Sequence, residues 1–207
     1  MNARRTGSWA TALSLLALLA GLSCIGCRSG KSDAGNSYRT VARDPTRDTD
    51  RARQLNAKGV ELLNKGEWEK AQQQLRAALE ADVTFGPAHN NLGKAYFHQG
   101  ELYLAAWEFQ YAAKLMPEQP EPKNNLGLVL ERAGKLDEAV QSYDEALALG
   151  RDGAQVVANA ARCRVRRGDK DQRTLELLQQ VLENDPRPSW RRWAGRQLAL
   201  RGRPVPG

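Results

Sequence analysis

Apolar positions fall into two regimes along this chain. From Trp9 to Leu22 they run almost without a break, directly behind Arg4 and Arg5. From residue 28 to about residue 50 large apolar side chains all but vanish, and Ser, Asp, Arg, Thr and Gly replace them. Such a stretch buries too little surface to offset its ordering entropy, so residues 27–50 are expected to form a flexible tether. Further on, Leu62, Leu75, Leu79, Leu92, Leu104, Phe109, Leu115, Leu126, Leu130, Val140, Leu147, Leu178 and Val181 recur at helical spacing. That period predicts a succession of amphipathic helices whose apolar sides meet in a core.

Small residues carry a second, longer period. Gly59, Gly93 and Gly127 stand 34 apart, and so do Gly66, Gly100 and Gly134. The same step relates Ala71, Ala105 and Ala139, and again Ala78, Ala112 and Ala146. A fixed step of this length marks a chain built from repeated units that bury their apolar faces by stacking. Glycine or alanine in one helix lets the next approach closely. Glycine at the turns (Gly66, Gly100, Gly134, Gly168) tolerates the positive φ that follows many helix ends.

Leu92-Gly93-x2-Tyr96, Ala105-x3-Phe109, Ala112 and Pro117 resemble the signature of the tetratricopeptide repeat. Leu126-Gly127-x2-Leu130, Ala139-x3-Tyr143 and Ala146 repeat it. The resemblance implies an all-α fold: a right-handed superhelical array of about four helix-turn-helix units, residues 52–85, 86–119, 120–153 and 154–188. Lys58 and Val83 depart from the pattern in the first unit, and Arg164 stands where an apolar residue is expected in the fourth. That last unit also holds one residue more between Gly168 and Pro186 than the matching interval of the second. An open array end needs a cover, and residues 189–207 are expected to supply a capping helix and a basic tail. Within it Trp190, Trp193, Gln197 and Leu200 share one side, Leu198 lies near its edge, Arg191, Arg192 and Arg196 face water, and Ser189 is the expected N-cap. The alternative for this segment is a basic amphipathic helix on an anionic membrane.

At the other end, a positive start followed by 12–15 apolar residues has the layout of a secretory signal, short for a membrane span. Ile25-Gly26-Cys27, followed by the polar Arg28-Ser29-Gly30-Lys31, resembles a bacterial lipoprotein signal. The resemblance implies that residues 1–26 are removed and that Cys27 is lipidated; Cys24, behind Ser23, is the alternative anchor. It also implies a cell-envelope location, anchored to a membrane and facing the periplasm.

Composition changes the picture little. The net charge of +7 is unevenly placed: residues 51–150 carry −3 and residues 186–207 carry +6. A nucleic-acid binder would more often spread its cationic footprint over the folded body. Three cysteines and two histidines in these positions make neither a disulfide framework nor a metal site. Cys163 lies alone in a helical segment and reads as a small buried hydrophobe. Asp137-Glu138 and Asp144-Glu145 read as solvated helix faces. No catalytic motif is present, so neither enzyme activity, a small-molecule substrate nor a cofactor is expected.

Function is therefore sought on the first helices of the units, which line the concave side in the family resembled. Asn91, Asn125 and Asn159 stand 34 apart there, preceded by Asn90 and Asn124, with Asn56 in the first unit. A carboxamide both donates and accepts, so such a ladder is suited to the backbone of an extended peptide. Lys94, Phe97, His98, Leu128, Arg132, Arg162 and Arg166 are expected beside it, as a mixed surface with a cationic end. Glu121, Asn125, Asn56 and Val60 stand where the family's carboxylate clamp needs other residue types. These features point to a scaffold that binds an extended segment of another envelope protein. The layout resembles lipidated tetratricopeptide assembly proteins, and that resemblance implies a role in pilus, secretion or envelope assembly. A homo-oligomerising structural lipoprotein and a regulator of a cell-wall enzyme are the alternatives.

Overall fold

The computed structural model describes residues 47–150 and 153–202. The anchor candidates Cys24 and Cys27, the signal segment and most of the expected tether lie outside the described residues. Among the described residues there are nine helices and no strand: α1 (Thr49–Asn64), α2 (Trp68–Ala81), α3 (Gly86–Gln99), α4 (Leu102–Leu115), α5 (Pro120–Arg132), α6 (Leu136–Leu147), α7 (Ala154–Arg167), α8 (Gln172–Asn184) and α9 (Pro188–Ala199). None is long and apolar enough to cross a membrane. Each helix packs on the next in sequence. The first helices of successive units (α1, α3, α5, α7) also touch one another, whereas the second helices make no comparable contact. The array therefore curves with the first helices on the inside.

The glycine column does what its spacing predicts. A Cβ on Gly59 would lie 2.6 Å from Leu75, one on Gly93 2.7 Å from Phe109, and one on Gly127 2.6 Å from Tyr143. Each glycine thus receives a bulky side chain from the middle of its unit's second helix, and Leu75, Phe109 and Tyr143 are buried there. In the fourth unit Ala161 replaces the glycine, and Leu177 and Leu178 of the second helix are buried in the same core cluster. The extra residue of this unit is absorbed in the longer turn from Gly168 to Asp171, where Gly168 closes α7 at φ 96° and Asp171 caps α8 by accepting from the Thr174 N–H at 2.7 Å.

Several expectations are corrected. The first helix opens at Thr49, inside the stretch expected to be tether. Asp48 caps it by accepting from the Arg51 N–H at 3.0 Å, and the Asp48 N–H reaches the Ala81 carbonyl at 2.8 Å. The anchor of this start is Asp82, almost fully buried, which accepts from Arg47 Nε at 2.9 Å and Thr49 Oγ1 at 2.7 Å. At the far end α9 begins with Pro188, not after Ser189, because proline suits a first helical position whose N–H has no partner. Its buried side is Ala194, Gly195 and Leu198, with Trp190 and Trp193 half-buried on the core; Leu200, past the helix end, is exposed. Leu104 is also outside the core, on the outer side of α4. Asp144 is not merely solvated: it accepts from Arg164 Nη2 at 2.6 Å, with Asp169 and Asp171 3.7 Å from Nη1. This is how a buried arginine occupies an apolar position.

Candidate functional site on the inner face

The asparagines of the first helices bond to one another across the repeat boundaries. Asn91 Nδ2 donates to Asn56 Oδ1 at 2.9 Å, Asn125 Nδ2 to Asn90 Oδ1 at 3.0 Å, and Asn159 Nδ2 to Asn124 Oδ1 at 2.9 Å. All three pairs are 35 apart in sequence, one more than the repeat. The offset follows from having two adjacent asparagines: the second of one unit reaches back to the first of the unit before. A parallel row lies one end further along the helices. Arg132 Nη1 donates to the Phe97 carbonyl at 3.4 Å and Arg166 Nη1 to the Glu131 carbonyl at 3.1 Å, again with a separation of 35. The ladder is therefore first of all a fastening between units, not a free row of amides.

This divides the expected site residues. Asn159 is fully buried, and its Oδ1 accepts from Gln155 at 3.1 Å, so it has no surface to offer a ligand. Asn90, Asn91 and Asn124 are largely buried, while Asn56 and Asn125 remain half-exposed. His98 points elsewhere: its ring stacks on Trp68 of α2, with centroids 4.2 Å apart and planes 2° from parallel. Lys94, Phe97, Leu128, Arg132 and Arg166 do lie together on the inner face with some exposure. Lys94 Nζ donates to Asn91 Oδ1 at 3.3 Å. Burial holds its ammonium below the ordinary value, against the opposing charge of Glu121. Arg132 lies over the Phe97 ring at 5.1 Å, within cation–π range. Beside Asn90 and Asn91 a recess of about 520 Å³ is bordered by Pro87, Met116, Glu121 and Pro122.

The expected cationic end is mostly neutralised from within. Glu131 of α5 is buried and accepts from Arg162 Nε at 3.1 Å, from Arg162 Nη2 at 2.8 Å and from the Tyr143 hydroxyl at 3.0 Å. Arg166 Nη1 stands 3.6 Å from the same carboxylate. Burial alone would raise the Glu131 carboxyl, but the Arg162 hydrogen bonds and charge, with Tyr143 and Arg166, hold it below its ordinary value. Two arginines share one carboxylate, so a surplus positive charge remains there, near Arg132. The pairing was not foreseeable from either residue alone. Its only sequence trace is a glutamate and an arginine 31 apart on successive first helices.

Cys163 is buried, and burial followed by the nearby Glu131 charge pushes its thiol up to about 11, far from a reactive thiolate. The outer side of α4 carries one feature that core and groove reasoning passed over. Tyr103 and Trp107 are 78% and 61% exposed. The residues one repeat before and after them are Glu69 and Asp137, and Gln73 and Gln141.

Comparison with known proteins agrees with this architecture. Tetratricopeptide-repeat family profiles match residues 56–123 and 120–152. No curated protein sequence matches the chain. Among solved structures, the first such domain of Spaghetti (RPAP3), bound to the HSP90 peptide SRMEEVD, is 19% identical. That match covers 60% of this chain and 99% of the other, with a TM-score of 0.57. MamA is 22% identical over 68% of this chain and 79% of its own, with a TM-score of 0.59. The Sgt2 domain from Aspergillus fumigatus is 18% identical over 62% and 93%, with a TM-score of 0.56. At these identities the likeness speaks for the fold. Among the described residues the chain is an all-α helical repeat array of tetratricopeptide-like fold, with tetratricopeptide-repeat profiles matching residues 56–152 of it.

Proposed function

We propose that this protein is an interaction scaffold that holds an extended segment of another envelope protein along its inner face, and that a lipid on Cys27 tethers it to a membrane from the periplasmic side. The observation that carries the reading is the set of half-exposed side chains Lys94, Phe97, Asn125, Leu128 and Arg132. They stand on a framework whose own hydrogen bonds are already made. A preorganised surface of this kind binds without first ordering itself. One solved structure of the same fold, the Spaghetti domain, holds an HSP90 peptide, SRMEEVD, which is acidic. A clamp for a terminal carboxylate is absent here, because Glu121, Asn125, Asn56 and Val60 occupy its positions. The segment bound here is therefore recognised internally, with a carboxylate of its own opposite Arg132 and Arg166.

Crosslinked pull-down from native envelopes tests the groove. The intact protein is compared with an Arg132→Glu/Arg166→Glu variant, which reverses two exposed charges while sparing the asparagine pairs. A partner captured by the first and lost by the folded second supports the reading. A partner retained by both moves the interface off the inner face. For the anchor, Cys27→Ser is expected to release the protein from membranes and Cys24→Ser to leave it bound; the reverse pattern would transfer the lipid to Cys24.

A further inference from the structure

The array does not stop at a whole number of units among the described residues. Gly195 continues the column Gly59, Gly93, Gly127 and Ala161 at the same step of 34. Gly202 likewise continues the turn glycines Gly66, Gly100, Gly134 and Gly168, and like them has positive φ, at 71°. Helix α9 packs on α8 as α3 packs on α2, α5 on α4 and α7 on α6. It is thus the first helix of a fifth unit, and no described helix takes the place of its second. In that place lies a groove of about 570 Å³ whose floor is Leu182, Pro188, Gly195 and Ala199 and whose rim is Arg191, Arg192 and Arg196.

The other units show what such a groove receives. Against each column glycine they set a bulky side chain of a second helix: Leu75, Phe109 or Tyr143. Two of them, the second and third units, also set a carboxylate against the residue that precedes that glycine by one turn, where the first and fourth have Leu55 and Val157. His89 faces Glu108 of α4 at 2.6 Å and Lys123 faces Glu145 of α6 at 2.8 Å. Arg191 is the next member of that column, 34 beyond Val157 and 68 beyond Lys123. Its Nη1 donates to the Asp185 carbonyl at 3.1 Å and its charge acts on the Asp185 carboxylate, already paired with Arg187, while Arg192 and Arg196 have no carboxylate partner among the described residues.

We propose that this groove is a second docking site, separate from the inner face, which takes an acidic amphipathic helix from another protein and so completes the fifth unit in trans. The helix presents one bulky apolar residue to Gly195 and carboxylates to Arg191, Arg192 and Arg196. The charge balance favours this occupant, since residues 186–207 carry six positive charges and no negative one. Such a match gives steering as well as register.

A probe is already in the chain. A blocked, fluorescently labelled peptide copying α6, Leu136–Leu147, carries Asp137, Glu138, Asp144, Glu145 and the Tyr143 that seats on Gly127. Anisotropy titration of this peptide with the full-length protein is expected to saturate. Affinity should fall at least tenfold for the surface variant Arg192→Glu/Arg196→Glu and for Gly195→Leu. It should be lost for a peptide with lysine at its four acidic positions. The inner-face variant Arg132→Glu/Arg166→Glu should bind the peptide as the intact protein does, which keeps this result independent of the proposed groove function. Absence of saturable binding, or binding indifferent to Arg192→Glu/Arg196→Glu, overturns the proposal. So does self-association abolished by that variant, which would make a second copy the occupant. Binding to phosphatidylglycerol vesicles without peptide binding overturns it too, in favour of a membrane.

Discussion

Where Asn159 meets Asn124, water does not reach the bond, and that decides what each asparagine is worth. A buried acceptor left without its donor costs about 1–3 kcal/mol. Asn159→Ala strands Asn124 Oδ1 in this way and is expected to lower stability by about 1–2 kcal/mol in denaturant unfolding. Asn125→Ala, at a half-exposed position where water can replace the lost amide, should cost clearly less. Equal losses at the two positions would contradict the burial argument. Asp82 makes the second prediction. Burial opposes its charge, but hydrogen bonds from Thr49, Thr84 and Arg47 outweigh it and bring the carboxyl from 3.8 down to about 2. A carboxyl depressed by folding stabilises fully above its unfolded value, and that contribution is lost as pH falls through the folded one. Stability from Asp82 is thus complete above about pH 4 and fades between there and pH 2. Asp82→Asn should cost about 1–2 kcal/mol at neutral pH and flatten the acid limb of the stability curve in that window. An unchanged acid limb would mean that the start of α1 is held by something else.

At the scale of helices, the glycine column sets how closely the two members of a unit approach. Gly127→Ala places a methyl 2.6 Å from the buried Tyr143 ring. Overpacking of this kind costs about 1–3 kcal/mol, which exceeds the gain of about 1 kcal/mol from alanine's helix propensity. A melting temperature lowered by several degrees is expected, and a second change, Tyr143→Leu, should recover part of the loss. The fourth unit is the natural precedent, with alanine (Ala161) in the glycine column and leucines rather than an aromatic buried on its second helix. These interlocks were legible in the sequence, because backbone approach leaves a periodic trace in small residues. Arg164 was not. Its position reads as apolar, and only the fold brings Asp144 close enough to hold it. Nor was the start at Thr49 legible, since Asp82 lies 33 residues from Thr49 and nothing local links them. The two missed features are polar contacts between residues distant in sequence, one across units and one within the first, for which periodicity carries no information.

Across the whole array, the same asparagines that suggested a peptide ladder fasten one unit to the next, so the expected site divides. That the asparagines share the first helices was legible from the repeat, but their bonding was not, because carboxamides can satisfy one another as well as a ligand. Arg162 likewise belongs to Glu131 rather than to a partner. Lys94, Phe97, Asn125, Leu128 and Arg132 are what the inner face has left to offer. The outer face offers Tyr103 and Trp107 instead, so the two faces can be set against each other directly. The decisive measurement is site-specific photocrosslinking in intact cells, with p-benzoylphenylalanine in place of Phe97 in one strain and of Trp107 in another. A discrete protein adduct from position 97, absent from position 107, is the result expected of a scaffold that grips its partner along the inner face. An adduct from position 107 alone would contradict that claim and put the interface on α4.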